Sequence, residues 1–212
     1  MKTTLRMLAG CGLLLTLVGC VESEKPLSSA ATAQQDVRLH GLWSHSDGGS
    51  TAYILIGAAE DPPAESGRPP VEPGMMRYWS LERNDETQKL APPSGAQFFC
   101  TKVGDHDFGN WISPATKEEP AKPETYFFVK YRVEGDRLSI WLQDPGKTAA
   151  AIEAGKLQGT VKRRPANASF NPGGVESVRI TDSSENIRKF LADGGAVSCY
   201  PEENRVTYQR VR

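Results

Sequence analysis

The feature that most constrains the fold is a twenty-residue segment, residues 125–144, whose pattern predicts a β-hairpin. Over 127–133 every second residue is a large apolar one, which is the period of a half-buried strand. Gly135 and Asp136 then supply a two-residue turn, since glycine adopts a positive φ at little cost. The alternation resumes over 138–142, so the segment predicts two antiparallel strands with one face on a core.

Short strand-like runs separated by turn signals fill most of the chain on both sides of this hairpin. Residues 39–46 and 51–57 are rich in β-forming residues and are separated by Asp47-Gly48-Gly49, which predicts a second hairpin. The second run carries apolar residues on both faces, so we expect a central strand covered on both sides. The C-terminal run, residues 205–211, is predicted as a final strand, and the stretch 196–200 as another.

Two helices are predicted late in the chain. Asp144 is placed to cap a helix that begins at Pro145 and ends near Gly155. Residues 182–185 resemble a capping box with Asp182 as the cap, ahead of a helix of about three turns. Strands and helices do not alternate, which disfavours a parallel α/β sheet. The chain therefore predicts a mainly β fold: a single antiparallel β-barrel or strongly curved sheet with two short α-helices.

The first twenty residues have the organisation of an export signal. Lys2 and Arg6 precede an apolar run, residues 7–18, which is shorter than the roughly 20 residues that span a bilayer. The quartet Leu17-Val18-Gly19-Cys20 resembles the lipobox of bacterial lipoproteins. In that family the cysteine thiol receives a diacylglyceryl group, the chain is cut before the cysteine, and the new amine is acylated.

The lipobox resemblance implies a cellular location and attachment to a membrane. Cys20 would carry the lipid, and two or three acyl chains hold a protein on a membrane almost permanently. In the family, an aspartate after the cysteine retains the protein in the inner membrane, whereas Val21 stands here. We therefore expect an outer-membrane lipoprotein that faces the periplasm. The predicted organisation is a signal peptide (1–19), a lipid-anchored flexible tether of small polar residues (20–36) and one β domain (37–212).

A second resemblance concerns the domain itself. An early Gly-x-Trp, residues 41–43, followed by short meandering strands is similar to lipocalin-like barrels. The pattern Tyr-x-Val-x-Gly-Asp-x-Leu over 131–138, with the helices after it, resembles a group of uncharacterised bacterial lipoproteins with a lipocalin-like domain. The resemblance implies a barrel, but the spacing of Gly-x-Trp and the two helices differ from true lipocalins, so ligand binding is not carried over from it.

Charge and cysteine content narrow the classes of partner and the chemistry. Removing 1–19 takes two of 25 basic residues, which leaves 23 against 26 acidic ones and a net charge of −3. That balance argues against nucleic acid as a partner, and the basic run 162–164 is interpreted as a solvated strand end. With Cys20 lipidated, Cys100 and Cys199 remain, and in an oxidising envelope they either form a disulfide or stay two buried free thiols.

Residues that could line a binding site are aromatic. The predicted ligand-lining residues are Trp43, Tyr53, Trp79, Phe127 and Tyr131, with an ordinary β core as the alternative for them. Trp141 falls on the polar face of its strand and is interpreted as a surface residue. His45 and His106 stand beside aspartates, but neither a zinc-binding helix motif nor a serine nucleophile elbow is present.

We therefore predict a protein that is not an enzyme and needs no cofactor or metal. The expected function is a lipid-anchored, non-catalytic binding module for a small apolar or envelope-derived ligand. The alternative is a structural or adaptor lipoprotein that docks another envelope protein and has no ligand cavity.

Overall fold

The computed structural model of the protein describes residues 20–62, 70–113 and 124–212, so the predicted signal peptide lies outside the described residues. These residues form one sheet of eleven strands. The strands are β1 (Cys20–Ser23), β2 (Gly41–Asp47), β3 (Ser50–Ala58), β4 (Met75–Asn84), β5 (Ser94–Val103), β6 (His106–Ser113), β7 (Thr125–Glu134), β8 (Arg137–Leu142), β9 (Gly159–Arg163), β10 (Val175–Ile180) and β11 (Arg205–Arg210). The helices are α1 (Pro145–Glu153), α2 (Ser184–Phe190) and the short α3 (Ala196–Ser198), with a π-type turn at Leu191–Gly195 and 3₁₀ turns at Ala30–Thr32, Val37–Leu39 and Glu202–Asn204.

Eight of the strands close into an antiparallel barrel. Strands β2 to β8 follow one another around the ring, and β11 completes it by pairing with β8 on one side and β2 on the other. The predicted hairpin forms β7 and β8, with Glu134 opposite Arg137 and Gly135 at a φ of 59° in the turn. The predicted mainly β fold, with an antiparallel barrel and two short helices, is confirmed.

The inward-facing side chains fill the barrel. This inner core is built from alternate residues of the strands and is sealed at one end by Leu39 of the 3₁₀ turn. Burial of each such large side chain stabilises the fold by about 1.5–3 kcal/mol. Its buried members are Leu39, Trp43, Ala52, Ile54, Ile56, Met76, Tyr78, Phe98, Val129, Tyr131, Leu138, Ile140 and Tyr208.

A second core lies outside the barrel wall. Strand β7 pairs with β6 along one edge, and along the other edge with β8 and then with β1, which leads on to β10 and β9. The helices and these added strands cover outward-facing side chains of β6, β7 and β8. This outer core contains Val21, Leu27, Val103, Phe108, Phe128, Trp141, Ala149, Leu157, Val178, Ile180, Ile187, Leu191, Ala196, Cys199 and Tyr200.

The segment 20–36 is part of the folded domain, where the sequence predicts a flexible tether. Strand β1 pairs in parallel with β10, from Cys20 opposite Ser177 to Ser23 opposite Ile180. Leu27 is fully buried in the outer core. The physical reason for the difference is that a few apolar side chains in a polar stretch are enough to dock it when a complementary apolar wall is available.

One buried amide side chain fixes this segment to the barrel. Asn110 on β6 is fully buried, and its Oδ1 accepts a hydrogen bond of 2.7 Å from the backbone N–H of Leu27. Its Nδ2 donates to the Phe99 carbonyl at 3.1 Å and to Thr101 Oγ1 at 2.8 Å. The buried amide therefore has partners on both ends, which is the condition under which a polar group in a core is stable.

The helix caps are partly as predicted. Asp144 caps α1, since its Oδ1 accepts from the Lys147 N–H at 2.8 Å. Helix α2 is capped by Ser183, whereas the sequence predicts Asp182. Asp182 is buried instead, and its carboxylate accepts from the backbone N–H of Gln158 at 3.0 Å. Asp182 thus joins the loop before β9 to α2, a long-range role that a local capping pattern does not reveal.

Three further local predictions differ from the structure. Leu55 is 51% exposed, so β3 is covered on one face only. Trp141 is 5% exposed and belongs to the outer core, because the helices and added strands cover the face of β8 that the pattern marks as polar. Residues 196–200, predicted as a strand, begin with the helical turn α3.

The carboxylate of Asp36 binds the end of the N-terminal segment to the barrel. Asp36 accepts a hydrogen bond of 2.9 Å from the Tyr131 hydroxyl and bonds of 2.6 and 2.8 Å from the Arg38 guanidinium. Arg38 also forms an ion pair of 2.9 Å with Asp107 on β6. Burial has the largest influence on Asp36 and raises its pKa, but the hydrogen bonds from Arg38 and Tyr131 outweigh it and hold the pKa below 3.8.

We expect Asp36→Asn to weaken the fold at neutral pH and to flatten its acid sensitivity. A lowered folded-state pKa means that stability is present above pH 3.8 and is lost as the pH falls through the folded-state pKa. The amide keeps only part of the hydrogen bonding, so the free energy of unfolding should fall by about 1–3 kcal/mol at pH 7. Urea unfolding followed by circular dichroism from pH 7 to about pH 3 measures both effects.

The matched control for this prediction is Asp47→Asn, which changes an exposed aspartate at the β2–β3 turn. It should leave the unfolding free energy at pH 7 nearly unchanged. Equal acid sensitivity of the wild type and Asp36→Asn would contradict a stabilising role of the Asp36 carboxylate.

Candidate functional site

A small cavity lies among the inward-facing side chains of the described barrel strands. It has a volume of about 20 Å³, which is room for about one water molecule. The rings of Tyr78 and Trp111 lie 4.2 Å apart and, with Tyr208, occupy the space beside it. A small apolar ligand does not fit in this cavity.

The five predicted ligand-lining residues do not line a common cavity. Trp43 and Tyr131 are buried in the inner core, and Phe127 is half-buried on β7. Tyr53 and Trp79 lie on the outer face of the barrel, where Arg83 and Arg77 respectively approach their rings. None of the five lines the lumen cavity or the larger cleft outside the barrel.

That cleft, with a volume of about 990 Å³, lies on the outer wall of the barrel. Its floor consists of outward-facing side chains of β4 to β7, namely Met75, Phe99, Ile112 and Tyr126. The walls are formed by residues 26–30, by the flanks of the β3–β4 connection and by α2, through the lining residues Pro26, Ser28, Ser29, Ala30, Glu60, Asp61, Pro62, Pro70, Val71, Glu72, Ser184 and Arg188. Its volume is at the upper end of the range of small-molecule sites.

The rim of the cleft is charged and mostly acidic. The lining carboxylates are Glu60, Asp61, Glu72 and Glu124, and the lining guanidinium groups are Arg77 and Arg188. The apolar floor and the charged rim are together complementary to a molecule that has an apolar body and a polar end. The excess of carboxylates favours an end that is neutral or positively charged.

Contacts within the protein hold several cleft side chains in place. Tyr126 packs edge-on against Phe99, with ring centres 6.3 Å apart, and its hydroxyl donates to Glu124 at 3.3 Å. Burial, assisted by the charge of Glu124, raises the pKa of Tyr126. Arg188 donates to the Leu27 carbonyl at 2.7 Å, which ties α2 to the opposite wall. These lining groups are therefore positioned before any ligand arrives.

The two cysteines of the domain are free thiols, so the disulfide alternative is not formed. Cys199 belongs to the outer core, whereas Cys100 packs against the inner core, where its thiol lies 3.7 Å from Met76 Sδ. The barrel wall thus separates the two side chains. Burial raises the pKa of Cys100 to about 11 and also raises the pKa of Cys199, so neither is an activated nucleophile.

The histidines lie outside the lining of the cleft. His45 Nδ1 lies 2.8 Å from the Thr207 carbonyl, and neither His45 nor His106 lines the cleft. In the part of the chain that the structure describes, no group of three or more histidine, cysteine, aspartate or glutamate side chains is placed to hold a metal ion.

An exposed apolar row crosses the barrel wall outside the cleft. Leu42, Leu55 and Trp79 are neighbours on β2, β3 and β4, and they are 37%, 51% and 49% exposed. Trp79 is opposite Gly95 on β5, and a Cβ atom at that glycine would lie 2.9 Å from the indole ring. Gly95 therefore provides the space in which the indole lies across the sheet.

No family model, curated protein or solved structure matches the chain. Within the described residues, no helix is both long enough and apolar enough to cross a membrane.

The cleft was not predicted, although one sequence signal points to it. Phe98 and Phe99 are consecutive large apolar residues in β5, so both faces of that strand must be covered. Phe98 enters the inner core and Phe99 forms the cleft floor. The walls come from segments far apart in the sequence, which is why their meeting could not be inferred.

Proposed function

We propose that the protein is a lipid-anchored envelope lipoprotein that acts as a non-catalytic binding module. The observation that carries the binding role is the cleft of about 990 Å³ with an apolar floor on the outside of the barrel. We assign the ligand to this cleft and not to the cavity among the inward-facing side chains, because that cavity of about 20 Å³ is too small for a ligand.

The lining chemistry defines the class of ligand. Tyr126 and Ile112 are partly exposed and offer apolar surface to the body of a ligand, whereas the lining residues Phe99 and Met75 are already buried. Burying apolar area contributes about 25 cal/mol per Å², so a body that covers Tyr126 and Ile112 gains affinity from this contact. The rim carboxylates then orient a neutral or cationic end. A small amphipathic molecule of the envelope has this form.

The anchor in this proposal is the lipid on Cys20, supported by the resemblance of Leu17-Val18-Gly19-Cys20 to a lipobox. The proposed location is the outer membrane, with the domain facing the periplasm. Mass spectrometry of the mature N-terminus checks the anchor independently of ligand binding, because the acyl chains add a defined mass to Cys20.

The binding role is tested with N-phenyl-1-naphthylamine, an apolar probe that fluoresces in dry sites. Gln97 lines the cleft and is partly exposed, so Gln97→Trp fills the cleft without removing a core side chain. We expect saturable binding to the wild type. Since the indole displaces most of the apolar contact, Gln97→Trp should weaken binding at least about tenfold.

The matched control is Gln209→Trp, which adds the same side chain at an exposed position of β11 outside the cleft. It should bind the probe as the wild type does, and circular dichroism should show that both variants are folded. Absence of saturable binding to the wild type, or an equal loss in both variants, would contradict a ligand site in the cleft.

The second candidate is an adaptor that docks another envelope protein. The exposed row of Leu42, Leu55 and Trp79 favours it, because apolar side chains aligned across three strands form a continuous surface and not scattered exposures. Arg77, whose guanidinium lies 5.9 Å from the Trp79 ring, would favour an acidic group on that partner.

A further inference from the structure

The sheet brings the proposed lipid attachment point and the β9–β10 turn to the same end. Strand β1 begins at Cys20 and runs parallel to β10, with Cys20 opposite Ser177. β10 itself begins at Val175, directly after the turn from β9. A strand rises about 3.3 Å per residue, so the turn extends at least about 7 Å beyond the level of Cys20.

The turn carries an exposed aromatic side chain. Phe170 is 54% exposed, and the Arg164 guanidinium lies 5.4 Å from the centre of its ring. Arg164 also donates to the Val175 carbonyl at 3.1 Å, which fixes its position across the turn. Exposed aromatic rings beside basic groups are typical of protein surfaces at the membrane–water interface.

Two more basic residues lie at the base of the turn. Lys162 is opposite Ser177, which in turn is opposite Cys20, so Lys162 is two strands away from the attachment point. Lys162 forms an ion pair with Glu176 at 2.9 Å, with 69% of the lysine side chain exposed. Exposed pairs of this kind contribute little to stability, so the cations can exchange their partners for phosphate groups.

Arg163 is also an exposed cation paired with a carboxylate. Arg163 forms an ion pair of 2.6 Å with Glu153 and is 47% exposed. The run 162–164, which the sequence alone suggests is a solvated strand end, therefore begins at the level of Cys20 and continues into the turn. Lys162 and Arg163 are exposed and Arg164 is partly exposed.

We propose that the β9–β10 turn is a membrane-docking surface that binds anionic phospholipid headgroups of the leaflet in which Cys20 is anchored. Phe170 enters the interface between headgroups and acyl chains, and Lys162, Arg163 and Arg164 contact lipid phosphates. The proposal rests on the proposed lipidation of Cys20. The pairing of β1 with β10 from Cys20 onward supports it, because a lipid on Cys20 would then hold the sheet close to the bilayer.

The test uses the mature lipidated protein in vesicles of phosphatidylethanolamine and phosphatidylglycerol. An environment-sensitive nitrobenzoxadiazole label is attached at Phe170→Cys or, as a control, at Leu90→Cys, an exposed apolar position of the β4–β5 connection. Cys100 and Cys199 remain in both variants as a shared background. The label at 170 should show blue-shifted, brighter emission, whereas the label at 90 should show the weak, red-shifted emission of a label in water.

Charge removal provides the second arm. Each basic residue taken from the surface should lower the ratio of docked to undocked protein about fivefold, so Arg163→Gln with Arg164→Gln lowers it about 25-fold. Lys102→Gln, an exposed lysine on β5, is the matched control and should leave the ratio unchanged. Replacing phosphatidylglycerol with phosphatidylcholine should reproduce the effect of the double substitution.

Mass spectrometry of the N-terminus separates the two possible failures. Lipidated protein whose label at 170 is as solvated as the label at 90 overturns the docking surface and leaves the anchor intact. A mature protein without lipid on Cys20 overturns the docking proposal together with the anchor. Emission that depends on both the anionic lipid and the arginines supports the proposal.

Discussion

Replacing Trp43 with alanine should lower the free energy of unfolding by about 4 kcal/mol. Trp43 is fully buried in the inner core, and its Nε1 donates to the Leu39 carbonyl at 2.8 Å. The Arg210 guanidinium lies 4.0 Å from the ring centre and donates to the carbonyls of His40 and Arg38. Removing the indole thus opens a cavity and releases the turn that seals the barrel.

Thermal melting and urea unfolding measure this loss. For a domain of this size each kcal/mol shifts the melting temperature by about 2–4 °C, so Trp43→Ala should melt roughly 8–16 °C lower. Trp43→Phe keeps most of the volume and should lose less. Trp79→Ala, at an outward-facing position that is 49% exposed, is the matched control and should cost less than about 1 kcal/mol. Equal losses at the two tryptophans would contradict the assignment of the inner core.

The second large effect is expected at a lysine buried outside the barrel. Lys130 is 8% exposed, and its Nζ donates to the Ala196 carbonyl at 3.0 Å and to the Tyr200 carbonyl at 3.4 Å. The same Nζ lies 4.6 Å from the centre of the Trp141 ring. Lys130→Met removes these interactions and leaves two carbonyls without this donor, so we expect a loss of about 2–3 kcal/mol.

The pKa of Lys130 determines how its contribution to stability depends on pH. Burial lowers the pKa of Lys130, which shows that the charged form is disfavoured by its surroundings, although Glu202 acts in the other direction. Because the folded state has the lower pKa, the wild type gains stability as the pH rises toward 10.5, and Lys130→Met lacks that gain. Urea unfolding at several pH values measures both quantities.

Arg132→Met is the matched control, on the same face of β7 with a side chain that is 61% exposed. It should change the unfolding free energy by less than about 0.5 kcal/mol. A Lys130→Met protein as stable as the wild type would mean that desolvation of the ammonium group cancels its hydrogen bonds.

The barrel could be predicted because its signals are local. The alternation over 127–133 and the glycine turn at Gly135 determine a hairpin, and repeated hairpins without crossover helices lead to an antiparallel sheet. The outer core could not be predicted, because it depends on β1 and β10 meeting across more than 150 residues. Trp141 illustrates the limit: its strand pattern marks a polar face, and only the distant elements bury it.

The candidate site was less predictable than the fold. The aromatic residues were predicted to line a ligand site or to fill a β core, but the face on which each ring lies depends on register, which a single sequence leaves open. Trp43 and Trp79 have similar sequence settings, yet one is fully buried and the other half exposed. The cleft floor follows from the double coverage of β5 at Phe99, whereas its walls follow from tertiary structure alone.

The parallel pairing of β1 with β10 also determines how the domain would bear a load. If the anchor holds Cys20, a force that pulls the domain away from the bilayer acts along the axis of β1. The hydrogen bonds between the two strands, from Cys20 opposite Ser177 to Ser23 opposite Ile180, are then stretched together in shear. Strands loaded in shear resist separation better than strands peeled apart one bond at a time, so this attachment is mechanically firm.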